Sequence, residues 1–209
     1  MRFTSVLVIV TALAVSAALQ AQVGAHPNLV DPNLADRATL RSLPNVADAL
    51  ADRIIAARPY ISATALNDVI ESSLSDAQRT ELYGRLFRQI NLNTASRDEI
   101  LLIPGMTARM AHEFEEYRPY TSLVQFRREI SKYVDANEVA RLEQYVFVPM
   151  NLNTASAEDF MTIPGMTTRM VHEFEEYRPY TSIEQFRREI GKYVDAKEVA
   201  RLESYVTLE

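Results

Sequence analysis

The sequence predicts an all-α fold of three tandem units, each of about four short helices, set behind an N-terminal leader. Three observations predict it. The stretch from Asn91 to Val146 recurs from Asn151 to Val206, shifted by sixty residues and altered at thirteen positions. A more divergent copy precedes them: Arg58-Pro59-Tyr60, Arg118-Pro119-Tyr120 and Arg178-Pro179-Tyr180 share the register, as do Pro44, Pro104 and Pro164. Within the copies, capping signatures and apolar residues fall at helical spacing, with no strand signal. A fixed period of this length marks a repeat architecture in which one small unit is multiplied. Units near sixty residues are close to the lower limit for a self-supporting core, so contacts between neighbours are expected to add stability.

The leader comes first. Arg2 supplies a positive charge, and Val6 to Leu19 is apolar apart from Thr11 and Ser16, the pattern of an export signal. Cleavage after Ala25 (Val23-Gly24-Ala25) or after Ala21 satisfies the small-residue preference at the cut. The competing reading, a retained anchor, needs about twenty apolar residues, and Gln20 and Gln22 interrupt any extension. The length therefore favours a cleaved signal within residues 1–25 and a periplasmic or secreted mature protein without a membrane span. The three units then occupy residues 26–90, 91–150 and 151–209.

The second unit shows the plan. Ser96 and Glu99 form a capping box that starts a helix, and Ile100 and Ile103 face inward one turn apart. Pro104-Gly105 stops that helix in a tight turn. Thr107 caps a second helix, with Met110, Phe114 and Tyr117 along one stripe, and Arg118-Pro119-Tyr120 ends it. Ser122 with Gln125 and Asp135 with Glu138 read as two further capping boxes. They open a third helix with Phe126 and Ile130 inward, and a fourth with Val139, Leu142 and Val146 inward. The third unit repeats the plan through Ser156/Asp159, Ser182/Gln185 and Asp195/Glu198, and Ser75/Gln78 marks the fourth helix of the first.

Composition excludes several classes. A hydrophobic content of 47% excludes wholesale disorder, and the absence of cysteine removes disulfides and thiolate metal sites. From residue 26 onward, 21 Lys and Arg stand against 28 Asp and Glu, divided as 7 against 8, 7 against 9 and 7 against 11 over the three units. Every unit is acidic, which weakens long-range attraction to polyanions.

The run Asn91-Leu92-Asn93-Thr94-Ala95-Ser96, followed by Ile103-Pro104-Gly105-Met106, resembles the helix-hairpin-helix module of the competence protein ComEA family. The copies at Asn151–Ser156 and Ile163–Met166 carry the same resemblance. It covers nearly all of units two and three and, more loosely, unit one. The resemblance implies an exported protein that binds double-stranded DNA without sequence preference, through backbone N–H groups where a helix begins. Carried over by residue, the implied DNA contacts are the amides of Gly105, Met106, Thr107, Gly165, Met166 and Thr167, with Arg109 and Arg169 beside them.

A second likeness supports a rival reading. Pro104-Gly105-Met106, the Pro119-Tyr120 turn and Leu74–Arg79 are similar to the extrinsic photosystem II subunit PsbU, an acidic exported protein that binds protein rather than DNA. Thr107 and Thr167 stand where the first family has a second glycine, and Glu113, Glu115 and Glu116 crowd the second helix. On that reading the chain is an acidic scaffold docking an extracytoplasmic protein partner or itself.

Other patterns have plainer readings. Arg127, Arg128 and Lys132, with their copies, read as a solvated face paired with Glu129 and Glu138 rather than a DNA clasp. His112 and Glu116 sit at i, i+4 but lack the second histidine of a zinc-protease helix. Tyr117, Tyr120, Tyr133 and Tyr145 fit packing better than base stacking. No nucleophile–base pair, nucleotide loop or repeated carboxylate pair stands out. The sequence therefore reads as a non-enzyme without cofactor or small-molecule substrate, its leading function sequence-independent DNA binding.

Overall fold

A computed structural model describes residues 22–209; most of the expected leader lies outside these residues. Helices dominate them and the strands are two residues long, so the fold is all-α. The first group of helices is α1 (Arg37–Arg41), α2 (Asp48–Ala56), α3 (Ala63–Ile70) and α4 (Asp76–Tyr83). The second runs β1 (Ile90–Asn91), α5 (Arg97–Leu101), α6 (Ala108–Glu116), α7 (Leu123–Ile130), α8 (Ala136–Glu143) and β2 (Val146–Phe147). The third runs β3 (Met150–Asn151), α9 (Ala157–Phe160), α10 (Thr168–Glu176), α11 (Ile183–Ile190), α12 (Ala196–Glu203) and β4 (Val206–Thr207). None of the described helices is long and apolar enough to cross a membrane.

The helix starts follow from their caps. Ser75, Ser96 and Ser156 form complete capping boxes with Gln78, Glu99 and Asp159. The boxes expected at Ser122 and Asp135 are only half made. Gln125 and Gln185 turn back to the amides of Thr121 and Thr181, at 2.9 Å in each case. Glu138 and Glu198 are captured by Arg141 and Arg201, each through two bonds of 2.7 Å. A charge-assisted bidentate pair outcompetes a single neutral amide.

The sequence signature has a structural job. Arg118 donates to the carbonyls of Leu92 and Ala95 (2.6 and 2.7 Å), while Asn93 and Tyr120 exchange two bonds (2.6 and 2.9 Å). Arg178, Asn153 and Tyr180 repeat this in the third unit, and Arg58, Asn33 and Tyr60 in the first. The Arg-Pro bond is cis in all three. Most of the Asn-Leu-Asn-Thr-Ala run is thus spent anchoring the loop to the Arg-Pro-Tyr turn.

Each unit closes on itself. Val30 bridges Leu86, Ile90 pairs with Val146, and Met150 with Val206, all parallel. These ladders displace Val146 from the helix in which it was expected; α8 stops at Glu143, and Val146 is buried as a strand residue. The first two units share one continuous apolar core, and the third has its own. Arg88, fully buried, ties first unit to third. It donates to the carbonyls of Tyr60 and Gln89, the Tyr205 hydroxyl and Ser204 Oγ, and lies 4.4 Å from the Tyr205 ring centre. Ahead of all three units, Val23 forms an antiparallel bridge with Phe147 at the end of the second.

Candidate nucleic-acid interface

In every unit the first two helices meet at a proline turn whose next residue has positive φ: Asn45 (62°), Gly105 (76°) and Gly165 (73°). The first unit keeps this geometry without glycine, because asparagine tolerates the left-handed region better than most residues. Thr107 and Thr167 cap α6 and α10 by accepting from the amides of Met110 and Met170.

The amides expected to contact an anion are not equivalent. Met106 and Met166 spend theirs on the carbonyls of Ile103 and Ile163, 3.0 Å away, which closes the turn. Those of Gly105, Thr107, Gly165 and Thr167 donate to no backbone carbonyl among the described residues. They lie where aligned peptide dipoles favour negative charge. Gly105, Thr107 and Arg109 are exposed.

What stands behind each turn decides its electrostatics. Arg141 donates to the Pro104 carbonyl (2.8 Å), and its Nη2 lies 3.5 Å from the place of a Cβ on Gly105. The guanidinium also holds Glu138 and keeps that carboxyl below its usual range. The pair is neutral overall but oriented, with its cationic end against the turn. Arg201 repeats this, donating to Pro164 at 2.7 Å, and is nearly buried. In the first unit the same position is Glu81, which accepts from Asn45 Nδ2 at 2.9 Å. A carboxylate thus backs that turn, and Asp48 opens the following helix. Asp48 itself is paired with Arg37 and Arg41, so the first hairpin differs from the others in having Glu81 where they have an arginine.

The third hairpin is partly covered. The Leu34 methyls lie 2.9 and 3.1 Å from where a Cβ on Gly165 would stand. An adjoining cavity of about 460 Å³ includes Asp31 and Asp36 in its lining. Hydrogen bonds from Thr39 hold the Asp36 carboxyl below its ordinary range, so it stays charged. The second and third hairpins both combine exposed donors with a guanidinium behind them, and among the two only the third has Leu34 against its glycine.

The remaining candidates separate cleanly. Arg109 has no ion-pair partner among the described residues, whereas the Arg169 guanidinium lies 5.8 Å from the Tyr193 ring centre. Arg127 pairs with Glu143 (2.6 Å), and Arg128 and Lys132 both pair with Glu129. Tyr120 and Tyr145 are buried, and Tyr117 and Tyr133 share a 2.8 Å hydroxyl contact. Glu113 is buried, Glu115 pairs with Arg97, and Glu116 lies 3.4 Å from His112. No cluster of three metal-ligating residues exists among the described residues. Sequence reasoning missed Arg141, Arg201 and Glu81, although the sixty-residue register displays the charge reversal from Glu81 to Arg141 and Arg201.

No family model and no solved structure matches the chain. It is 28% identical to "Endonuclease/exonuclease/phosphatase family domain-containing protein 1" of Xenopus laevis, a match covering 46% of this chain and 23% of that protein. It is 24% identical to the protein of the same name from Bos taurus, over 48% of this chain and 25% of that protein. The chain thus spans about a quarter of the length of the curated relatives it matches. Their names correct two expectations from the sequence: the exported non-enzymatic DNA binder, with its scaffold alternative, and the assignment as a non-enzyme. Both relatives are named for an endonuclease/exonuclease/phosphatase family domain.

Proposed function

We propose that this chain is the nucleic-acid-holding array of a nuclease/phosphatase-type protein, seating the phosphate backbone of double-stranded DNA for phosphoester hydrolysis. The observation that carries the reading is the second hairpin. There the free amides of Gly105 and Thr107, the exposed Arg109 and the cationic end of the Arg141–Glu138 pair converge on one turn. Phosphate oxygens accept from such donors without reference to base sequence. The two relatives, named for an endonuclease/exonuclease/phosphatase family domain, support the chemical context.

Contact is expected to be modest and salt-sensitive, because the chain carries a net charge of −6. With two or three phosphates neutralised, log affinity should fall against log salt with a slope of about −2 to −3. Fluorescence anisotropy with a random-sequence duplex tests this. Arg109→Glu combined with Arg141→Gln should weaken binding at least tenfold, and Glu81→Gln should strengthen it. A wild-type chain that fails to bind at low salt and micromolar concentration defeats the reading.

A further inference from the structure

We propose that export processing hydrolyses the peptide bond between Ala21 and Gln22, leaving Gln22–Gly24 in the mature protein as a clasp. The sequence offers two cuts, and Val23-Gly24-Ala25 satisfies the small-residue rule at both decisive positions. The structure favours the other.

Val23 is 3% exposed and packs with Phe147 into the core of the third unit. The Gly24 amide donates to the Val146 carbonyl (3.1 Å), and the Val148 amide donates to the Gln22 carbonyl (2.8 Å). The segment therefore makes an isolated antiparallel bridge on the outer side of β2. Gln89, itself buried, donates through Nε2 to the carbonyls of Gly24 and Gln144, both at 2.9 Å. A Cβ at Gly24 would overlap the Glu143 carbonyl, so only glycine fits there.

A cut after Ala25 would remove every one of these groups. It would open the Val23 site and strip one edge of β2. The buried Gln89 amide would lose one of its two acceptors. A cut before Gln22 keeps them all. In that step water adds across the amide; Ala21 departs with the leader as a carboxylate, and Gln22 keeps its nitrogen as a free amine. Gln22 is only partly buried and its side chain reaches the Thr121 carbonyl at 3.3 Å, so the new terminus lies at the rim of the fold. Nucleic-acid binding plays no part in this processing.

Two measurements decide it. Full-length chain is produced in a bacterial host with export, and the intact mass of the extracytoplasmic product is determined. A product beginning at Gln22, or its cyclised form lighter by one ammonia, supports the proposal. A product beginning at His26, or one still carrying the leader, overturns it. In parallel, purified chains beginning at Gln22 and at His26 are melted side by side. The shorter chain should melt lower by on the order of 5 °C; equal melting temperatures overturn the clasp.

Discussion

Replacing Gly105 with alanine isolates the cost of the left-handed turn that presents the amides. Its φ is +76°, and the added Cβ would stand 3.5 Å from Arg141 Nη2, an ordinary contact. Steric overlap therefore contributes nothing, and the cost is that of the backbone alone. An L-residue in this region is disfavoured by about 1–2 kcal/mol, offset by about 0.4–1 kcal/mol because alanine leaves the unfolded chain less free. The net is roughly 1 kcal/mol, which lowers the melting temperature of a chain this long by about 2–4 °C. Gly165→Ala has a similar backbone (φ +73°) but also brings the new methyl within 2.9 Å of Leu34 Cδ1. Leu34 is 44% exposed and can turn aside, which adds about 0.5–1 kcal/mol of rotamer strain. Thermal unfolding followed by circular dichroism measures both, and Leu34→Ala should erase the difference between them. A Gly105→Ala chain as stable as wild type would refute the argument from φ. A gap that survives Leu34→Ala would refute the contact.

Three further outcomes follow from buried and titratable groups. Arg88→Met leaves the Tyr205 hydroxyl without its buried donor and the Tyr60 carbonyl with Asn33 Nδ2 alone. It should cost about 3 kcal/mol in denaturant unfolding, while a cost below about 1 kcal/mol would deny the residue its bridging role. On the acid side, Lys132 and Arg128 hold Glu129 below its ordinary range, and Lys192 and Arg188 do the same for Glu189. Groups with lowered folded pKa stabilise above the unfolded carboxylate value and lose that contribution as pH falls, so melting temperature should decline below about pH 4.5. On the alkaline side, burial pushes Tyr60 and Tyr205 up to about 12. Their contribution is complete below the unfolded value and should drain away from about pH 10 toward 12, read as falling melting temperature.

The helical class and most helix starts were legible, because serine caps and apolar stripes are local signals. The two-residue ladders were not: Ile90 and Val146 are too short a pair to show alternation, and their partners lie far apart in sequence. Asp135 with Glu138 spelled a capping box but did not form one, since Arg141 competes from the same helix face. That the first hairpin keeps the same turn without a glycine was not legible, because only the backbone shows that Asn45 has positive φ. At the candidate site, Gly105 and Arg109 were found by motif. Arg141 was overlooked because it lies thirty-six residues beyond Gly105 and meets the turn only through the packing of α8. Leu34 over Gly165 belongs to another unit altogether, and no local pattern announces a contact of that kind.

The pairing of Val30 with Leu86, Ile90 with Val146 and Met150 with Val206 brings the entrance and exit of each sixty-residue module side by side. A gene duplication can then splice in another module without rerouting the rest of the polypeptide, much as a bead is added to a necklace. Copy number becomes a dimension along which this architecture can be lengthened.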